Sequence, residues 1–218
     1  MGLQAILFDF DGTLADTLPL IFQCFREILS DETGRCPTDQ DIVAMFGPTE
    51  EGMLHRALPE SQYAGAVEKL YTLYDTWHPE YVSANVEIEQ LLIALKQAAY
   101  PLAIVTGKGR RTAEISLRHL GWAKYFDVIV TGDDVQRPKP HPEGLLRALR
   151  ALNVPASNAL YAGDSEADVA AGRAAGLVTM AVTWLGHPQT VTFSNQPDYL
   201  LDDVRNFSDV LNGMRVAP

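Results

Sequence analysis

The feature that most constrains this chain is a recurrence: four short apolar runs, spread along its length, each breaking at once into small, polar or charged residues. The first, Ala5-Ile6-Leu7-Phe8, delivers Asp9-Phe10-Asp11-Gly12-Thr13. A short continuous apolar run reads as a strand buried on both faces. Two carboxylates one residue apart at its end repel each other unless a cation or a shared proton compensates. A hard divalent ion such as Mg²⁺ is held by a few carboxylates together with substrate phosphate, so the placement suggests a metal site. Gly12 lets the backbone turn sharply beside the ligand. Taken alone, the stretch also fits an Asx turn after a strand.

Three further segments repeat the pattern. The run 101–105 leads into Thr106-Gly107-Lys108, whose hydroxyl and backbone N–H groups, at a strand-to-helix turn, suit phosphate oxygens. The run 126–130 leads to Thr131-Gly132-Asp133-Asp134 and then Arg137-Pro138-Lys139-Pro140-His141-Pro142, which fixes one lysine between two prolines. Such rigidity suits a positioned cation. Finally Ala159-Leu160-Tyr161-Ala162 runs into Gly163-Asp164-Ser165-Glu166-Ala167-Asp168, a third source of carboxylates. Open parallel sheets place their binding crevice beyond the carboxyl ends of the strands, and the segments come in the order that a wound sheet requires. Strand and helix patterns alternate as far as Val182, which gives an α/β class with a mostly parallel sheet.

Too many residues for a simple crossover helix separate the first two motif strands, and they carry helical periodicity. Leu18, Ile21, Phe22, Phe25, Ile28 and Leu29 recur at helical spacing from Thr17 onward. Pro37-Thr38-Asp39 reads as a fresh helix start, and Pro48 and Pro59 mark further breaks. The stretch 61–77 puts Tyr63, Val67, Leu70 and Tyr71 on one face. Residues 16–82 therefore read as a small inserted helical domain, with 1–15 and 83–218 forming the α/β core. Residues 86–99 read as a helix with Ile88, Leu91, Leu92 and Leu95 inward, and Gly176 as a helix end.

With 218 residues, 47% hydrophobic and 21% charged, the chain can bury one sizeable core plus a small insertion. Its 17 basic and 28 acidic residues give a formal charge of −11, which disfavours nonspecific binding to nucleic acid or an anionic membrane. An anionic substrate must then be attracted locally. Cys24 and Cys36 lack C-x-x-C spacing and no secretory signal opens the chain, so both are expected to pack as thiols. No apolar run reaches the about 18 residues a membrane span needs, and the cytoplasm is the expected location.

With DFDGT, the TG turn, the lysine and GDSEAD in order, the chain resembles the haloacid dehalogenase superfamily of phosphohydrolases over most of its length. The resemblance implies a Rossmann-like core whose helical cap closes over a Mg²⁺ site, with hinges near Asp16-Thr17 and Ser83-Ala84 and specificity around residues 46–51. It implies Asp9 as nucleophile and metal ligand, Asp11 as general acid/base whose main-chain carbonyl also binds the metal, and Asp164 as the remaining carboxylate ligand. Thr106 and Lys139 would hold the phosphoryl group, with Gly12, Gly107 and Lys108 completing the substrate site. Asp168 reads as a supporting acid or occasional ligand, and Glu166 as a first-turn acid that favours a helix N-terminus. Asp9 would form an aspartyl-phosphate that water later cleaves, while Asp11 gives a proton to the leaving alkoxide and takes one from water. Mg²⁺, the Lys139 ammonium, Thr106 and backbone N–H groups would stabilise the charge spread over the phosphoryl oxygens.

The expected activity is Mg²⁺-dependent hydrolysis of a small, phosphoglycolate-like phosphate monoester, with pyrophosphate hydrolysis as an alternative. The Asp-Gly-Thr-Leu-Ala-Asp-Thr opening and the Arg-Pro-Lys-Pro stretch look most like phosphoglycolate phosphatases and related pyrophosphatases. Two departures are Gly107, where those often carry Asn, and Ala84-Asn85 in place of a Pro-Gly turn. Halide chemistry fits poorly, because true dehalogenases do not use a second carboxylate as Asp11 would be used. A sugar phosphomutase is weakened by Ile21, where such enzymes carry a histidine, and a silent regulatory protein by the presence of every chemical group. Arg110, Arg111, His55 and His141 read as ordinary loop and surface residues, and 184–188 as a loop that could border the site. Nothing in the pattern sets the oligomeric state or ranks phosphoglycolate, pyrophosphate and sugar phosphates.

Overall fold

The structure, a computed structural model, describes residues 2–190 and 192–216. Six strands form one parallel sheet: β1 (Ala5–Phe8), β2 (Leu102–Val105), β3 (Val128–Val130), β4 (Ala159–Gly163), β5 (Val178–Val182) and β6 (Tyr199–Leu201), in the order β3-β2-β1-β4-β5-β6. The chain moves outward from β1 through β2 to β3, then returns to lay β4 on the other side of β1. The carboxyl ends of β1 and β4 therefore flank the point where the winding reverses, which is where such sheets bind ligands.

Every residue of β1, β2 and β4 is buried, as expected for strands covered on both faces. Alternation along β1 sends Ile6 and Phe8 into one core with Ile104, Ile88, Leu92 and Phe207. Ala5 and Leu7 go to the opposite face with Val105, Leu145, Leu149 and Tyr161. The covering helices are α5 (Val86–Gln97), α6 (Arg110–Leu120), α7 (Glu143–Leu152), α8 (Glu166–Ala175) and α9 (Phe207–Val216), and the register Leu7↔Tyr161 and Leu7↔Ala103 fixes β1 between its neighbours.

Between β1 and α5 lie α1 (Leu18–Thr33), α2 (Asp39–Val43), α3 (Glu50–Ala57) and α4 (Glu60–Tyr81). Helix α1 buries Cys24, Phe25 and Ile28 in the core that also takes Leu70 and Tyr74 of α4, and it ends at Gly34, whose φ of 70° closes the last turn. Thr38 and Thr49 cap α2 and α3 by accepting from Asp41 N and Gly52 N. Asn85, the departure from a Pro-Gly turn, caps α5 by accepting from Glu87 N and Ile88 N.

Several expectations shift on inspection. Helix α4 extends past residue 77 to Tyr81 and carries Pro79 in its last turn. Its burial falls on Leu70, Tyr71, Tyr74 and His78, whereas Tyr63 and Val67 are only half-buried. Helix α5 stops before residue 99, because Ala99 adopts a φ of 61°. Cys24 packs as expected, but Cys36 is exposed in the α1–α2 connection and is not packed as a thiol. Both β6 and α9 lie beyond the last strand read from sequence. Among the described residues no helix is long and apolar enough to cross a membrane.

Candidate active site

Asp9 follows β1 directly, and its N–H donates to Ala162 O at 2.8 Å, so the ladder with β4 fixes where its side chain starts. That carboxylate is 3% exposed and lies 3.0 Å, Oδ1 to Nζ, from Lys139. Burial, then the charge of Asp168, pushes Asp9 up to about 7, against the pull of Lys139. Asp164 follows β4 and is fully buried, with Oδ1 accepting from Thr13 Oγ1 at 3.2 Å and Oδ2 from Gln189 N at 2.7 Å. Burial raises it well above the carboxylate range, and the charges of Asp168 and Asp9 add to the rise.

Asp9, Asp164 and Asp168 each offer an oxygen within 4.8 Å of the others. Among the described residues, Lys139 is the one cation ion-paired with members of this trio, Asp9 and Asp168. Three buried hard-oxygen donors with one lysine between them leave negative charge that a divalent cation would offset, so the residues fit Mg²⁺. Gly12 makes the same point sterically. Its φ is +77° and a Cβ there would run into the Asp164 carboxylate, so only glycine lets the backbone approach.

Asp168 does more than add charge. Its Oδ1 lies 2.5 Å from Lys139 Nζ and 2.7 Å from the Tyr161 hydroxyl, while its Oδ2 accepts from Ser165 N at 3.0 Å and Ser165 Oγ at 2.5 Å. The Ser165 N bond is one half of the capping box that starts α8, whose other half is Asp168 N donating to Ser165 Oγ at 3.2 Å. Burial works against the Lys139 ammonium, but Asp168 and Asp9 outweigh it and hold lysine protonation above its ordinary range.

The Asp11 carboxylate stands apart from the acidic trio. It accepts from Thr17 Oγ1, and its Oδ1 lies 3.2 Å from Lys108 Nζ. The Thr17 hydroxyl therefore serves Asp11 and makes no capping bond to α1. Thr106, at the end of β2, donates its N–H to Val130 O at 3.0 Å, and its hydroxyl accepts from Lys108 N at 3.2 Å. Gly107 is packed so closely that a Cβ on Gly132 would strike its carbonyl.

Lys108 is the surprise of the site. Its side chain is wholly buried and its Nζ lies 2.8 Å from Glu50 Oε1 as well as 3.2 Å from Asp11. Glu50, from the start of α3, also accepts from Gly109 N at 2.7 Å and Thr112 Oγ1 at 2.8 Å. Burial alone would lower Lys108 and raise Glu50. The facing charges reverse both: Asp11 and Glu50 hold the ammonium well up, and Lys108 holds Glu50 below the usual carboxylate range. Glu50 falls within the 46–51 stretch in which the resemblance placed specificity, without a partner being legible there. The usable signal was Lys108, which needs a counter-charge once buried.

Asp9, Asp11, Thr106, Gly107, Lys108 and Lys139 all line one cavity of about 440 Å³, which Leu18, Ile21, Phe46 and Met53 close from the helical side. Gln189 lines it and donates its N–H to Asp164, whereas residues 184–188 are not in its wall, Trp184 Nε1 donating instead to Thr13 O at 2.7 Å. Arg110 instead pairs with Asp134, Arg111 stacks over Tyr71, and His55 lies near Glu60 at the surface.

The haloacid dehalogenase-like hydrolase profile matches residues 6–182. Pyrophosphatase PpaX of Bacillus mycoides is 33% identical over 216 residues, 97% of this chain and 98% of that protein. PpaX of Bacillus cereus is 33% identical over 218 residues, 98% of this chain and 99% of that one. The structure of CbbY from Rhodobacter sphaeroides in complex with phosphate superimposes with a TM-score of 0.81 at 26% identity, covering 93% of this chain and 95% of CbbY. A structure described as a predicted phosphoglycolate phosphatase from Haemophilus somnus gives a TM-score of 0.85 at 22% identity, covering 95% of this chain and 97% of that one, a likeness of fold. With four motifs meeting at one crevice and a profile spanning all of them, the chain belongs to the haloacid dehalogenase-like hydrolases, as an enzyme of the phosphatase type.

Proposed function

We propose that the protein is a Mg²⁺-dependent phosphatase that hydrolyses a small phosphate monoester in two steps through Asp9. The observation that carries this reading is the convergence of Asp9, Asp11, Thr106 and Lys139 on one cavity beside the buried carboxylate of Asp164. Asp9 attacks phosphorus, and the ester oxygen leaves with a proton from Asp11. Water, deprotonated by Asp11, then cleaves the aspartyl-phosphate. The Thr106 hydroxyl, the backbone N–H of Gly107 and the Lys139 ammonium bind the phosphoryl oxygens, and Asp168 positions Lys139 for that task. Asp9, Asp164 and the main-chain carbonyl of Asp11 would hold Mg²⁺, which supplies positive charge against the carboxylates and the phosphoryl group. Helices α1–α4, within residues 16–82, act as the cap that shuts the cavity against water, and 1–15 with 83–218 as the core.

A second reading, hydrolysis of a phosphoanhydride, draws support from the 33% identity to proteins called pyrophosphatase. The phosphomutase alternative has less behind it, since Ile21 contributes an apolar side chain to the cavity. Phosphate release from phosphoglycolate, pyrophosphate, sugar phosphates and nucleotides, with Mg²⁺ or with EDTA, tests the proposal. Release that needs Mg²⁺ and disappears in a folded Asp9→Asn variant is the expected result; release that EDTA leaves intact overturns the metal assignment.

A further inference from the structure

We propose that Glu50 selects the substrate class: by neutralising Lys108 it turns the leaving-group side of the cavity against anions, so the substrates are phosphate monoesters of neutral alcohols. This rests on the phosphatase reading above and narrows it.

The cations lining the cavity, among the described residues, are Lys139 and Lys108. Lys139 is held at the phosphoryl side by Asp9 and Asp168. Lys108 would be the one group free to receive a second phosphoryl group or a carboxylate on the leaving group. It is not free. Its ammonium sits between Glu50 at 2.8 Å and Asp11 at 3.2 Å, and the Glu50 carboxylate neutralises it even while Asp11 carries the proton it gives to the leaving group. Glu50 cannot swing aside cheaply, because Gly109 N and Thr112 Oγ1 hold its two oxygens from the core side. The rest of that wall is Leu18, Ile21, Phe46 and Met53. An anionic leaving group would lose its hydration there with no counter-charge to replace it, whereas the carbon skeleton of a neutral alcohol would pack against the apolar wall. Arg56 opens onto an adjoining groove with Asp133 and Gln136, across the Gly47-Pro48 and Pro138 wall that it shares with the cavity.

Glu50 also ties α3 to the turn after β2, so a purely structural role as a latch has to be told apart from selection. The ratio of kcat/KM values between substrate classes does this, since a looser latch lowers both alike. Glu50→Gln keeps the size and one acceptor while releasing Lys108. The measurement compares alkyl and aryl phosphates bearing neutral alcohols with phosphoglycolate and pyrophosphate, all with Mg²⁺, for the wild type, Glu50→Gln and Glu50→Gln with Lys108→Met. The wild type should favour the neutral-alcohol esters, Glu50→Gln should move the ratio toward the anionic substrates by about tenfold or more, and the added Lys108→Met should undo that move. A wild type that prefers phosphoglycolate or pyrophosphate overturns the inference even if the variants fail to fold, as does an unmoved ratio in folded Glu50→Gln. Silence of the folded wild type on every substrate removes the phosphatase reading, and this inference with it.

Discussion

Asp168 is shared by Lys139, Tyr161 and the first turn of α8 through four close contacts, two on each carboxylate oxygen. An amide at this position keeps one oxygen and loses the charge that holds the Lys139 ammonium. Asp168→Asn should therefore lower kcat by about 10- to 100-fold, the usual cost of losing a partner behind a site residue, with a smaller change in KM. Steady-state kinetics on any accepted phosphoester checks this; an unchanged kcat in the folded variant removes Asp168 as a positioning residue. The sequence made Asp9, Asp11, Thr106 and Asp164 legible as candidates because each lies just past a strand-like run, where a wound sheet gathers its chemistry, and Lys139 because two prolines fix it in the connection that follows the third run. Glu50 lies within the 46–51 stretch where the resemblance placed specificity, but nothing local marks it as the partner of a lysine 58 residues away. Lys108 was legible as a site residue, but its engagement by two carboxylates was not.

Among the elements, α4 and α6 are joined by a set of polar and aromatic side chains. Tyr74 and His78 of α4 reach Ser116 of α6 at 2.8 and 3.1 Å, and His78 stacks on His119, which pairs with Asp75. Burial lowers His78 to about 4, helped by the positive neighbours His119, Lys108 and Arg118 and opposed by Asp75. The folded imidazole thus binds its proton more weakly than the unfolded one, whose ordinary value is 6.5. Between those values the unfolded chain takes up a proton that the folded chain refuses, so this contribution is intact at neutral pH and declines as pH falls from about 6.5 toward 4. Denaturant unfolding at pH 7 and pH 5 should show the wild type losing about 1–2 kcal/mol more than His78→Phe on acidification. Equal losses would mean that His78 does not titrate as its surroundings dictate. The helices themselves were readable from apolar spacing, while their ends were set by Gly34, Asn85 and the αL turn at Ala99, local choices that periodicity does not encode.

At the scale of the whole molecule, the α/β class was legible from alternation, but strand order was not, since pairing of β1 with β4 joins residues far apart in the chain. Strand β6 has three residues, two of them exposed at the sheet edge, too little apolar pattern to mark a strand. The formal charge of −11 sets the problem that the site has to solve. On the proposed function, a phosphate ester repelled by the molecule at large would be attracted where Lys139, backbone N–H groups and Mg²⁺ outweigh the buried acids. The central claim is that Asp9 becomes the phosphoryl carrier in that setting. The most direct test is a rapid acid quench of enzyme turning over a phosphoester with Mg²⁺, followed by mass spectrometry of its peptides. The account predicts phosphorylated Asp9 in the wild type, with neither phosphorylation nor turnover in a folded Asp9→Asn variant. Sustained turnover by Asp9→Asn, or phosphate carried on another residue, would contradict it.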